Sequence, residues 1–107
     1  MSKNKSPPTD LVRSAAKAEA LLKQLANAAR LRILCSLMEE GRTVGELVEI
    51  AQLSQSAVSQ HLTKMKAAGL VDATRQGQNM VYRLCSMEVR ALLSTLYLIY
   101  CGPASKH

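Results

Sequence analysis

Apolar residues change period along this chain, and the changes mark out its elements. Between Leu11 and Leu25 they fall at positions 11, 15, 18, 22 and 25, one face of a helix about four turns long. A second helix fits Ala28 to Glu39, with Ile33, Leu34, Leu37 and Met38 turned inward and Gly41 as its stop. Thr43-Val44-Gly45-Glu46 is a capping box, in which the Thr and Glu side chains satisfy each other's exposed backbone donors at a helix start. Leu47, Ile50 and Ala51 give this short third helix its buried side. Gln52-Leu53 makes a tight break, and Ser54 is a good N-cap for a fourth helix. There Val58, Leu62 and Met65 form a narrow inward stripe.

Beyond Gly69, a natural residue to follow a helix end, the helical period is lost. Leu70 to Arg75 and Met80 to Leu84 are short, partly β-branched runs around the polar Gln76-Gly77-Gln78-Asn79, which reads as a β-hairpin. Ser86 caps a last helix on which Val89, Leu92 or Leu93, Leu96 and Tyr100 recur, and Gly102-Pro103 ends it. The order predicts a mainly α fold with a β-hairpin wing (α+β). The third and fourth helices, joined by a short turn, are a candidate helix-turn-helix. The hairpin is a candidate wing, with Arg75 close to phosphates. Residues 1–10, polar with two Pro, read as an N-terminal arm, residues 11–102 as one folded domain and residues 103–107 as a tail.

Composition narrows the classes. A chain of 107 residues is one domain or one subunit, too short for a barrel enzyme or a full doubly wound dinucleotide fold. Hydrophobic residues make up 48% with no Phe and no Trp, so the core is aliphatic and suits helices. A domain this small buries a limited fraction of its surface alone, which favours oligomerisation. The net charge of +6 points to an anionic partner. The start carries no secretory h-region, and the longest apolar run, Leu96 to Cys101, is far short of a membrane span. Three Cys without a CxxC pair speak against a secreted disulfide scaffold. A cytoplasmic protein is expected. The basic residues are spread along the chain, which argues against a membrane-surface role. No paired carboxylates, activated nucleophile or phosphate-cradling loop suggests an enzyme, and no cofactor is expected.

With Val58, Leu62 and Met65 inward, Ser56, Gln60 and Thr63 point straight out, Ser59 and Lys64 flank them, and Gln55 sits at the N-terminal rim. Gln amides pair with adenine edges, and Ser hydroxyls suit several bases or a phosphate. A recognition helix presents its N-terminal residues to the major groove. An ordinary solvated face is the alternative. Against it, the outward residues before Lys64 include no Asp or Glu, and residues 54–83 carry Lys64, Lys66, Arg75 and Arg83 against Asp72 alone. His61 falls nearer the buried edge, as a packing or hydrogen-bonding residue with a lesser claim to a phosphate.

The run Leu25-Ala26-Asn27-Ala28-Ala29-Arg30-Leu31-Arg32-Ile33-Leu34 resembles the second-helix signature of ArsR/SmtB-type winged helix-turn-helix repressors. Ser54 to Leu62, Lys64, Gly69-Leu70-Val71 and the wing through Tyr82 extend the resemblance over roughly residues 15–101. It implies a homodimer with its first and last helices at the interface, bound to an inverted repeat in double-stranded operator DNA. It also implies Gln55, Ser56, Ser59 and Gln60 as groove residues, with Arg75, Gln76 and Gln78 on the wing. Residues 11–102 are then the DNA-binding and dimerisation domain.

Such repressors divide by effector. Metal-sensing members carry Cys-x-Cys on the third helix or Asp/His sets on the last. Here the third helix has neither Cys nor His, and the histidines are His61 and His107. Zinc wants about four close Cys, His or carboxylate ligands, so no metal site is expected, and a metal-responsive repressor is the alternative reading. Cys35, in Ile33-Leu34-Cys35, and Cys101, after Tyr100, match the two Cys contexts of the subgroup that includes BigR, SqrR and HlyU. That resemblance implies a sensor of reactive sulfur species or oxidants, whose two thiols become joined by a disulfide or short sulfur chain while DNA affinity falls. The alternative is that both thiols are inert, since free Cys packs as a small hydrophobe. Cys85 lies outside the matched pair and reads as structural or adventitious, an alternative disulfide through it being the other reading.

Overall fold

Side-chain caps decide where most helices begin. Asn27 accepts from Arg30 N–H at 3.0 Å, Ser54 from Ala57 N–H at 3.1 Å and Ser86 from Val89 N–H at 3.1 Å. The capping box is complete: Glu46 N–H donates to Thr43 Oγ1 at 3.3 Å and Thr43 N–H donates to Glu46 Oε1 at 2.9 Å. The computed structural model, which describes residues 7–101, runs α1 (Pro7–Leu25), α2 (Ala28–Leu37), β1 (Arg42–Thr43), α3 (Val44–Ala51), α4 (Gln55–Ala67), β2 (Val71–Gln76), β3 (Asn79–Leu84) and α5 (Met87–Tyr100).

Helix α1 starts at Pro7, before the expected Leu11. Pro7 and Pro8 occupy a first turn in which a missing N–H costs nothing, and Asp10 there complements the helix dipole. Residues 1–6 of the expected arm, the Leu11 side chain, the Gly102-Pro103 stop and the tail 103–107 lie outside the described residues. Helix α2 ends at Leu37 with Met38 as its C-cap, short of the expected Glu39. Arg90 on α5 donates from Nη1 to Met38 O at 3.3 Å and so satisfies that helix end.

The sheet has the antiparallel order β1-β3-β2. Arg42 pairs with Tyr82 and Thr43 with Val81, and Val71–Gln76 pairs with Leu84–Asn79. Gly77 takes φ +63° in the two-residue connection, a conformation that favours glycine. Gly41 does more than follow α2. A Cβ there would lie 2.7 Å from Val81 Cγ1 and 3.2 Å from Arg83 Cγ, and Val81 is buried. Gly41→Ala is expected to destabilise the fold by about 1–3 kcal/mol, read as a lower melting temperature. An unchanged melting temperature would show that β3 gives way.

The core is aliphatic, with Ile33 and Leu34 of α2, Leu47 of α3, Leu62 and Met65 of α4 and Leu93 of α5 fully buried, and no buried polar residue among those described. Helix α1 stands mostly outside it. Leu25 is buried and Leu21 half-buried, while Ala15, Ala18 and Leu22 of its apolar face are exposed.

Candidate nucleic-acid interface and thiol pair

The turn between α3 and α4 is fixed by the backbone as much as by side chains. Gln52 takes the left-handed conformation at φ 59° and its N–H closes on Val48 O at 2.9 Å. Arg32 reaches across from α2, donating from Nη2 to Ala51 O at 3.2 Å. Ser54 then starts α4, whose first turn holds no acidic residue and whose last turn holds Lys64 and Lys66. The exposed N–H groups at that helix start attract an anion.

Burial of Val58, Leu62 and Met65 sets the roll of α4. Gln55, Ser56, Gln60, Thr63 and Lys64 are exposed, and Ser59 is half-buried at the flank. The Ser54 and Ser56 hydroxyls lie 3.3 Å apart. Thr63 donates its hydroxyl to Ser59 O at 2.9 Å, so toward solvent it offers its oxygen as an acceptor. On the wing, Arg75, Gln76 and Gln78 are exposed at the end of the hairpin, and Arg83 Nη1 donates to Thr74 Oγ1 at 3.0 Å across it. The surface holds short polar readers on a helix and a cationic tip beside them, a form suited to base edges and phosphates.

His61 is half-buried and hydrogen-bonded. Arg30 Nε donates to His61 Nδ1 at 3.1 Å, while Arg30 Nη1 donates to Gln24 Oε1 at 2.9 Å and to Gln24 O at 3.3 Å. Burial, then the Arg30 and Lys64 charges, hold the His61 pKa below the ordinary histidine value. Sequence reasoning missed the roles of Arg30, Arg32 and Gln24, because no local pattern announces a partner on another helix.

Cys35, Cys85 and Cys101 are free and exposed. Cys35 lies on α2, and Cys101 is the C-cap of α5, its N–H donating to Tyr97 O at 2.7 Å. The Cys35 thiol is pushed up, first by partial burial of its sulfur and then by the charge of Cys101. The two thiols are therefore within electrostatic reach of each other. A cleft of about 510 Å³ opens beside Cys35, lined also by Ser36, Met38, Glu39, Arg42, Ile50 and Tyr97. Cys85 sits at the base of the wing, where Sγ donates to Gly69 O at 3.4 Å. Among the described residues no three His, Cys, Asp or Glu side chains gather as metal ligands, and no helix is long and apolar enough to cross a membrane.

A second surface is apolar. Tyr97, Leu98, Ile99 and Tyr100 at the end of α5 are 57%, 64%, 54% and 61% exposed. Between α1, α2 and α5 runs a groove of about 340 Å³ lined by Leu22, Leu25, Ala26, Leu31, Leu92, Thr95 and Leu96. Exposed apolar side chains grouped on one helix end and an apolar groove are features that mark interaction sites.

Residues 27–73 match the family described as "Bacterial regulatory protein, arsR family". The chain is 44% identical over 92 residues to the transcriptional activator HlyU of Vibrio cholerae, covering 86% of this chain and 85% of the relative. The structure of reduced HlyU from the same organism superposes with a TM-score of 0.81 at 43% identity, covering 86% and 97% of the two chains. A biofilm growth-associated repressor of Agrobacterium fabrum is 35% identical over 91% of this chain and 83% of its own. The homodimeric winged helix-turn-helix domain Mb0332 of Mycobacterium bovis superposes with a TM-score of 0.67 at 28% identity, over 92% of this chain and 88% of that one. The chain thus belongs to the ArsR family and is a winged-helix DNA-binding transcriptional regulator.

Proposed function

We propose that this chain is a homodimeric, cytoplasmic repressor that binds an inverted-repeat operator while Cys35 and Cys101 are thiols, and releases it when they are joined. The observation that carries the reading is the pair itself: a thiol on α2 whose pKa is raised by burial and by the charge of a second thiol, Cys101, at the end of α5. In this reading Gln55, Ser56, Ser59 and Gln60 enter the major groove, with Thr63 at its margin, while His61 faces Arg30 and not the DNA. Lys64 and the wing residues Arg75, Gln76 and Gln78 hold the backbone. The apolar α1–α5 surface meets a second copy.

The inducer is a persulfide or another oxidant of two thiols. One protein thiolate attacks the outer sulfur of R–S–SH, expelling RS⁻ and leaving a protein persulfide. The other thiolate attacks the inner sulfur of that persulfide and expels HS⁻. Two thiols and one R–S–SH thereby become one disulfide, RSH and H2S. The raised Cys35 pKa disfavours two thiolates at once, and attack by one thiolate at a time needs only one. A bond between α2 and the end of α5 strains α2, which also holds the reading pair through Arg32 to Ala51 O and Arg30 to His61.

The reduced protein should select an inverted-repeat duplex from a random-sequence pool. Gln60→Ala should then weaken binding to that duplex by about 1–3 kcal/mol with the dimer and melting temperature unchanged. Wild-type affinity in this variant would remove Gln60 from the interface, and failure to enrich any repeat would remove the operator-binding reading.

A further inference from the structure

One guanidinium joins three helices. Arg30, in the first turn of α2, reaches the end of α1 at Gln24 through Nη1 and the middle of α4 at His61 through Nε. The planar donor fork of an arginine fixes direction as well as distance. The core stripe of α4 is narrow, so a side contact at His61 adds the restraint that stops α4 rolling. His61 is flanked in sequence by Gln60, one of the outward polar residues.

We propose that Arg30 is a positioning residue for the recognition helix, and that its hold on α4 requires neutral His61, so that protonating this histidine lowers operator affinity. Arginine has donors only, so Nδ1 must keep its lone pair and Nε2 must carry the ring's single hydrogen. Protonation sets N–H against N–H and adds a cation where Arg30 and Lys64 already act. The carboxylates of the other elements packed on α4 are engaged or exposed elsewhere: Glu46 accepts from Thr43 N–H, Asp72 from Ala73 N–H, and Glu49 is exposed.

The sign separates this role from a phosphate contact. A cation gained on a DNA-facing helix tightens binding by neutralising phosphate, whereas a lost positioning bond loosens it. The test is anisotropy titration of the selected duplex near pH 7.5 and about pH 5.5 at fixed ionic strength. Wild-type affinity should fall about fivefold or more on acidification. His61→Gln, whose Oε1 accepts from Arg30 without titrating, should bind at both pH values within about twofold of neutral wild type. Arg30→Ala should bind about fivefold more weakly at neutral pH and show no acid loss. The unfolded chain takes up the His61 proton first as pH falls below 6.5, so fold stability also drops in acid; melting curves at both pH values separate unfolding from weakened binding. Unchanged or tighter wild-type binding in acid overturns the proposal, as does an equal acid loss in His61→Gln. Should Arg30→Ala not fold, the wild-type and His61→Gln titrations decide alone.

Discussion

Inorganic polysulfide is expected to lower the operator affinity of the reduced protein by about 5- to 150-fold, the usual range of allosteric coupling. Cys35→Ser and Cys101→Ser are each expected to keep reduced-state affinity and lose the response. Both cysteines are exposed, so the small change to Ser costs little packing. Neither lies on α4 or the wing. Cys85→Ser should respond like wild type, since Cys85 sits at the wing base against Gly69 O. A thiol reductant should restore affinity, because bridged sulfur exchanges with excess thiol. Equal release of the three variants and wild type would place the sensing elsewhere.

Leu22→Glu is expected to convert the protein to a monomer and to weaken operator binding by about 10²- to 10⁴-fold, the avidity lost when two linked contacts become one. Leu22 is 54% exposed in the protomer and lines the groove between α1, α2 and α5. A carboxylate there is solvated in the single chain and buried without a partner in the dimer, which costs several kcal/mol. Sedimentation equilibrium and duplex titration read the two effects together. A dimeric Leu22→Glu variant with wild-type affinity would place the subunit interface on another surface.

Local chemistry made the helix-turn-helix and wing readable from sequence. The Thr43–Glu46 box, the Ser54 and Ser86 caps and Gly77 each act within a few residues, so the sequence around them carries the whole interaction. Strand β1 escaped because Arg42-Thr43 has no apolar period; its pairing comes from Tyr82 and Val81. The early start of α1 escaped because Pro7 and Pro8 read as an arm, although a first turn accepts them. The outward set on α4 followed from three buried residues on a helical wheel and is found on that face, with Ser59 half-buried. The side contact of His61 was readable from the same wheel, but its partner was not, because Arg30 lies 31 residues away. The approach of Cys35 to Cys101 is likewise tertiary: periodicity placed each thiol on its helix, and only the folded chain brings the charge of one to bear on the other.

Peptide mass spectrometry of the protein that polysulfide releases from the operator tests the thiol switch most directly. The predicted result is a cross-linked species joining the Cys35 and Cys101 peptides through a disulfide or a short sulfur chain, present in the released fraction and absent from the DNA-bound one. Released protein with Cys35 and Cys101 unlinked, or with its added sulfur on Cys85 alone, would contradict it.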